Sequence, residues 1–253
     1  MKTVLRLDVE YDGAKFYGWA AQPGLRTVES VFTEALRGLW PGSERPAVAG
    51  RTDTGVHASG QVVSALVTGG PEIARAAAAL NAHLPLDVAV LRCAEVPPGF
   101  HARFSARSRL YEYRVLRSRA PSPLRAARVW HWPRDVDHEV LAACARTLLG
   151  EHDFRAFTPA ETQHRVFHRN VLSAAWERRG DELLFRVEAD SFLRHMVRTL
   201  AGTMLQTAAG ERPPEYFAQL LEGAPRAAAG VTAPPHALCL VDVRYEPPYD
   251  NTK

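Results

Sequence analysis

The chain has 253 residues, 46% of them hydrophobic, and a formal net charge of +3. That apolar share can build a sizeable core and excludes a disordered chain, and no apolar run approaches the length of a membrane span. The cysteines, Cys93, Cys144 and Cys239, are few, widely spaced and without a Cys-x-x-Cys pair, so neither a disulfide framework nor a zinc knuckle is indicated.

Residues 4–11 alternate as a half-buried strand. The same opening lacks an apolar signal core, which leads to the expectation of a cytoplasmic protein. Thr27 reads as the N-cap of a helix with Val28, Val31, Phe32, Ala35, Leu36 and Leu39 on one face. Strand-like runs at 46–49 and 61–68 flank a loop paced by Gly50, Gly55 and Gly60. Pro71 opens a second helix through the alanine run to Leu80, and 88–96 is again strand-like. Residues 110–116 alternate as a strand, and 136–149 form a helix that ends at Gly150. Residues 171–176 and 183–189 read as a hairpin around Arg179-Gly180-Asp181. Ser191 is expected to cap a helix through Ala208, Pro213 to open a short helix to Leu221, and 238–245 to form the last strand. Two successive mixed blocks point to an α+β protein with mostly antiparallel pairing. The Pro97-Pro98-Gly99 break places a boundary near residue 105, giving lobes 1–105 and 106–253.

Charge is uneven along this frame. Residues 103–134 hold nine arginines and one acid, Glu112, so the rest of the chain is net acidic. A basic stripe on such a body is the footprint of a phosphate-binding surface. His164 and His168 are four residues apart, but further ligands are not evident, so no metal is expected.

The loop between the 46–49 and 61–68 runs reads Gly50-Arg51-Thr52-Asp53-Thr54-Gly55-Val56-His57-Ala58-Ser59-Gly60-Gln61. Its glycines allow a sharp bend, and loops on rigid strands are where catalytic groups tend to sit. Taken alone, Asp53 reads as well as the head of an Asx turn. The whole run from Ala49 to Val62, however, closely resembles the signature of the tRNA pseudouridine synthase A family. Further blocks resemble that family in the same order: Glu10-Tyr11-Asp12-Gly13, Phe16-Tyr17-Gly18-Trp19, residues 100–106, Tyr111-Glu112-Tyr113-Arg114 and residues 191–198.

The resemblance implies a pseudouridine synthase fold of two mixed α/β lobes that share a central, largely antiparallel sheet with the active cleft between them. It implies an isomerase that converts uridine to pseudouridine at positions 38, 39 and 40 of the tRNA anticodon stem-loop, without cofactor, as a homodimer. It places the catalytic carboxylate on Asp53 and the substrate-binding groups on Tyr111, Arg51 and Arg198. RNA contacts are carried over to Phe100, His101, Ala102, Arg103 and Phe104, to Arg119, and to Glu161, Thr162, Gln163, His164 and Arg165. Alternation alone does not separate Tyr111 from Tyr113, which share a face; the family pattern selects Tyr111. His57 and Gln61 read as loop support. Ala20, Glu29, Asp190 and Ala237 depart from the family's usual residues, none of them in the set around Asp53.

Overall fold

A computed structural model describes residues 2–162 and 164–249. The chain runs through β1 (Lys2–Tyr11), α1 (Val28–Leu39), β2 (Ala47–Val48), β3 (His57–Thr68), α2 (Ile73–Asn81) and β4 (Val88–Val96). It continues through β5 (Ala106–Leu116), β6 (Trp130–His131), α3 (His138–Thr147), β7 (Gly150–Asp153), β8 (His168–Arg179) and β9 (Glu182–Ala189). It closes with α4 (Met196–Ala208), α5 (Pro214–Gln219) and β10 (Leu238–Tyr245). The class is α+β. No helix among the described residues is long and apolar enough to cross a membrane.

Two compact units form. One holds the chain up to Arg109 and again from Cys239 onward; the other holds Leu110–Leu238. In the first unit β1 pairs antiparallel with both β3 and β4. Its alternate residues Leu5, Leu7 and Val9 are fully buried, as a one-sided strand requires. Thr27 caps α1 reciprocally with Ser30, and the helix buries Val28, Phe32, Ala35 and Leu36. Just beyond it, the Trp40 indole donates to Gly69 O at 2.7 Å. β10 returns to this unit and pairs parallel with β3, Cys239 opposite His57 and Leu240 opposite Ala58. A cut by chain order near residue 105 leaves β10 with the second lobe; the parallel pairing carries it to the first.

In the second unit β8 is antiparallel to β7 and β9. The hairpin turns at Gly180, whose φ of +63° suits a residue without a Cβ. Trp176 stacks on its cross-strand partner Phe185 at 5.1 Å and donates to Met204 Sδ of α4. α4 begins at Met196, not at Ser191. His195 sits in the left-handed region at φ 62°, a geometry no right-handed helix contains, so the helix starts only after it.

Acids remote in sequence meet the basic stripe of residues 103–134. Arg107 pairs with Glu246, Arg114 with Glu182, Arg117 with Asp135, and Arg134 with Glu211. Arg125 grips both oxygens of Asp181, at 2.8 and 2.7 Å, and one of Glu182. Arg109 is buried and donates to the carbonyls of Ala49 and Arg103. The stripe is therefore not one continuous phosphate-binding surface: much of its charge is spent on holding strands and loops together.

Candidate active site and RNA-contacting residues

The Asp53 loop is built from the inside. Thr52 is buried and its hydroxyl lies 2.7 Å from the Tyr11 hydroxyl. Gln61 Nε2 donates both to that hydroxyl, at 3.1 Å, and to Gly50 O, at 2.7 Å. Burial pushes the Tyr11 phenol well above its ordinary pKa, against the lowering effect of the Thr52 and Gln61 hydrogen bonds, so it stays a neutral hydrogen-bonding group. From the other side, Trp19 N donates to Thr52 O at 3.0 Å and Gly55 N to Phe16 O at 3.3 Å. His57 is 2% exposed, and its Nδ1 accepts the Gly13 N–H at 3.0 Å.

The chain thus alternates through the loop, Arg51 outward, Thr52 inward, Asp53 half-buried. The turn closes with Val56 N donating to Asp53 O at 3.1 Å, after Gly55 at φ +78°. The result is a half-buried carboxylate on a backbone fixed from below. Sequence reasoning does not single out Tyr11 and Thr52 as site residues. Their signal is the Thr next to Asp53 together with a tyrosine in a strand whose other inward residues are aliphatic.

Removing one hydroxyl tests this support. Tyr11→Phe keeps the ring and leaves Thr52 and Gln61 short of a partner. We expect the protein to lose about 1–3 kcal/mol of stability, the cost of leaving buried partners without their hydrogen bond. A melting curve checks this; an unchanged midpoint would mean that the hydroxyl only fills space.

Within the first unit, residues 100–104 divide in two. Phe100 and Ala102 are buried, Phe100 against Tyr245 at 5.2 Å and Tyr249 at 5.1 Å. Phe100 therefore offers no open ring face. Phe104 is 77% exposed, its ring 4.4 Å from that of His101, with the Arg103 guanidinium 5.6 Å away. His101 Nδ1 accepts the N–H groups of Arg103 and Phe104, which fixes this turn.

In the second unit, Tyr111 is 7% exposed and meets Phe192 edge-on at 4.9 Å. Tyr113 donates its hydroxyl to Pro234 O at 2.9 Å in the core. The hydroxyl of Tyr113 is thus committed to the backbone. Arg198, half-buried in the first turn of α4, donates Nε to Ala233 O at 2.8 Å, while Ala233 N donates to Arg198 O. Arg119 is exposed in the loop after β5. Glu161, His164 and Arg165 are exposed and Thr162 partly so, with His164 N donating to Thr162 Oγ1; Gln163 lies outside the described residues. Among the described residues, no group of three or more His, Cys, Asp or Glu side chains could hold a metal ion.

Residues 144–246 match the family model described as tRNA pseudouridine synthase. The class of protein is therefore an RNA-modifying synthase. Named tRNA pseudouridine synthase A, a protein of Halalkalibacterium halodurans is 41% identical over 92% of this chain and 89% of its own length. One of Cereibacter sphaeroides is 41% identical over 94% of this chain and 96% of its own, and one of Frankia casuarinae 43% over 96% and 89%. The chain belongs to the tRNA pseudouridine synthase A family.

Proposed function

We propose that this protein isomerises uridine to pseudouridine in tRNA, at positions 38, 39 and 40 of the anticodon stem-loop. The observation that carries the reading is the Asp53 loop: a half-buried carboxylate held from below by the Tyr11–Thr52–Gln61 contacts, in a chain about 41% identical to named synthases over nearly its full length. The reaction breaks the bond between N1 of uracil and C1′ of ribose and forms one from C5 to C1′. N1 gains a proton and C5 loses one, so no electrons are exchanged and no co-reactant is consumed. Asp53 acts as the attacking carboxylate, which an ionised and aimed Asp can do. Tyr111 holds the loosened base. Arg51 and Arg198 supply the cations, Arg51 from an exposed position suited to filling the space a flipped nucleotide leaves.

Arg103, Phe104 and Arg119 are the outward groups best suited to phosphate and base contact, since stacking and guanidinium contacts tolerate many sequences. The Glu161 to Arg165 segment is assigned to the same RNA. The working form is a homodimer in the cytoplasm.

The test is pseudouridine mapping on unmodified tRNA transcripts. Signal confined to the anticodon arm supports the reading. Tight, salt-sensitive binding with no pseudouridine would replace it with an RNA-binding role without chemistry.

A further inference from the structure

Outside the residues just assigned, one pair of arginines in the second unit is held on a common segment. Five other arginines of this unit, Arg114, Arg117, Arg125, Arg134 and Arg186, each meet a carboxylate. Arg212 and Arg226 form no ion pair among the described residues. Arg226 Nη2 donates to Thr232 Oγ1 at 2.9 Å. Arg212 donates to the carbonyls of Ala228 and Ala229, and its guanidinium lies 5.5 Å from the Tyr216 ring centroid. Tyr216 in turn donates to Ala228 O at 3.1 Å. Both guanidiniums are half-buried and hold one strap, Arg212 at Ala228 and Ala229 and Arg226 at Thr232. Burial first, and the Arg212 charge second, lower the pKa of Arg226.

From this geometry we propose that Arg212 and Arg226 form a binding site for a phosphodiester of the RNA substrate, an inference that rests on tRNA being that substrate. Two partly desolvated guanidiniums held on one strap, Arg212 by carbonyls and Arg226 by the Thr232 hydroxyl, repel each other, and an anion bound by both relieves that repulsion. Planar guanidinium suits phosphate oxygens better than any other side chain. The strap ties the site to a residue already assigned. Thr232 Oγ1 lies 3.2 Å from Thr199 Oγ1, and the next residue, Ala233, accepts the Arg198 Nε–H. A phosphate at Arg226 would thus fix the RNA one strap residue away from the anchor of the arginine assigned to the target nucleotide.

Binding of unmodified tRNA by the full-length protein, measured over a range of salt, tests this. Removing one phosphate-binding cation flattens the plot of log affinity against log salt by about 0.7–0.9. Arg226→Gln and Arg212→Gln should each weaken binding at low salt and flatten the slope by about that amount, and Arg226→Lys should restore the slope. Thr232→Val, which disturbs the strap and removes no charge, should keep the wild-type slope. Should Arg226→Gln not fold, Arg212→Gln and Arg226→Lys carry the comparison. Wild-type slopes in the folded glutamine variants would overturn the site and leave the pair as a brace for the strap. Wild-type protein that binds no tRNA would overturn the tRNA reading itself, a distinct result.

Discussion

Asp53→Ala is expected to lower single-turnover pseudouridine formation by at least about 10³-fold, the scale on which enzymes respond to loss of an attacking group. Its tRNA affinity and melting temperature should stay close to wild type. The loop is anchored through Thr52, Gly55 and Val56, whose contacts run through the Tyr11 hydroxyl, Phe16 O and Asp53 O, and the substitution leaves all three in place. Asp53→Asn separates charge from shape: it is nearly isosteric, so a loss equal to that of alanine assigns the effect to the ionised oxygen. Rapid-quench assays on a single tRNA transcript give the rate directly. A residual rate within tenfold of wild type would take Asp53 out of the reaction.

The second large effect comes from Gly18, which carries no chemistry. Its φ is +83°, and a Cβ built there would lie 2.9 Å from Thr52 O and 3.2 Å from the Asp53 carbonyl carbon. Both neighbours are backbone, so neither can swing aside. Gly18→Ala combines a left-handed alanine with a clash against the Asp53 loop, which we expect to cost about 3 kcal/mol of stability. The melting temperature should fall by several degrees, and activity should fall further than the unfolded fraction accounts for, because the chain must move at Thr52 and Asp53. Thermal unfolding beside activity at a temperature where the variant is still folded separates the two. Full activity in the folded variant would show that the loop tolerates the displacement.

Much of this is legible in the amino-acid order alone. Runs rich in β-branched and aliphatic residues announce strands, and 88–96 and 238–245 are readable to the residue although their burial does not alternate strictly. Thr27 is legible as a cap because its hydroxyl works locally, taking the N–H of Ser30 and donating to the Ser30 hydroxyl. The Asp53 loop is legible as a motif, since its glycines and its carboxylate lie together in sequence. What fails to show is whatever depends on a distant partner. Ser191 looks like a cap, but the left-handed turn at His195 delays α4 to Met196. Nine arginines in one stretch look like a single surface, yet Asp135, Asp181, Glu182, Glu211 and Glu246 meet them and neutralise much of it. Phe100 and Phe104 flank Arg103 alike in sequence, while Tyr245 and Tyr249 claim only Phe100. The Tyr11–Thr52–Gln61 contacts join residues up to 50 positions apart, so no short window of sequence contains them.

The return of β10 to β3 also sets a timetable. Synthesis makes His57 and Ala58 early and their partners Cys239 and Leu240 near the end, with the whole of Leu110–Leu238 in between. Closing so long a loop costs little more entropy than closing one half its length, and the intervening body can fold first and hold its own ends. The Asp53 loop is then emitted early by the ribosome and is among the last to receive its full strand neighbourhood. A nascent chain that stops short of Cys239 lacks the strand that pairs with His57 and Ala58, directly after the Asp53 loop.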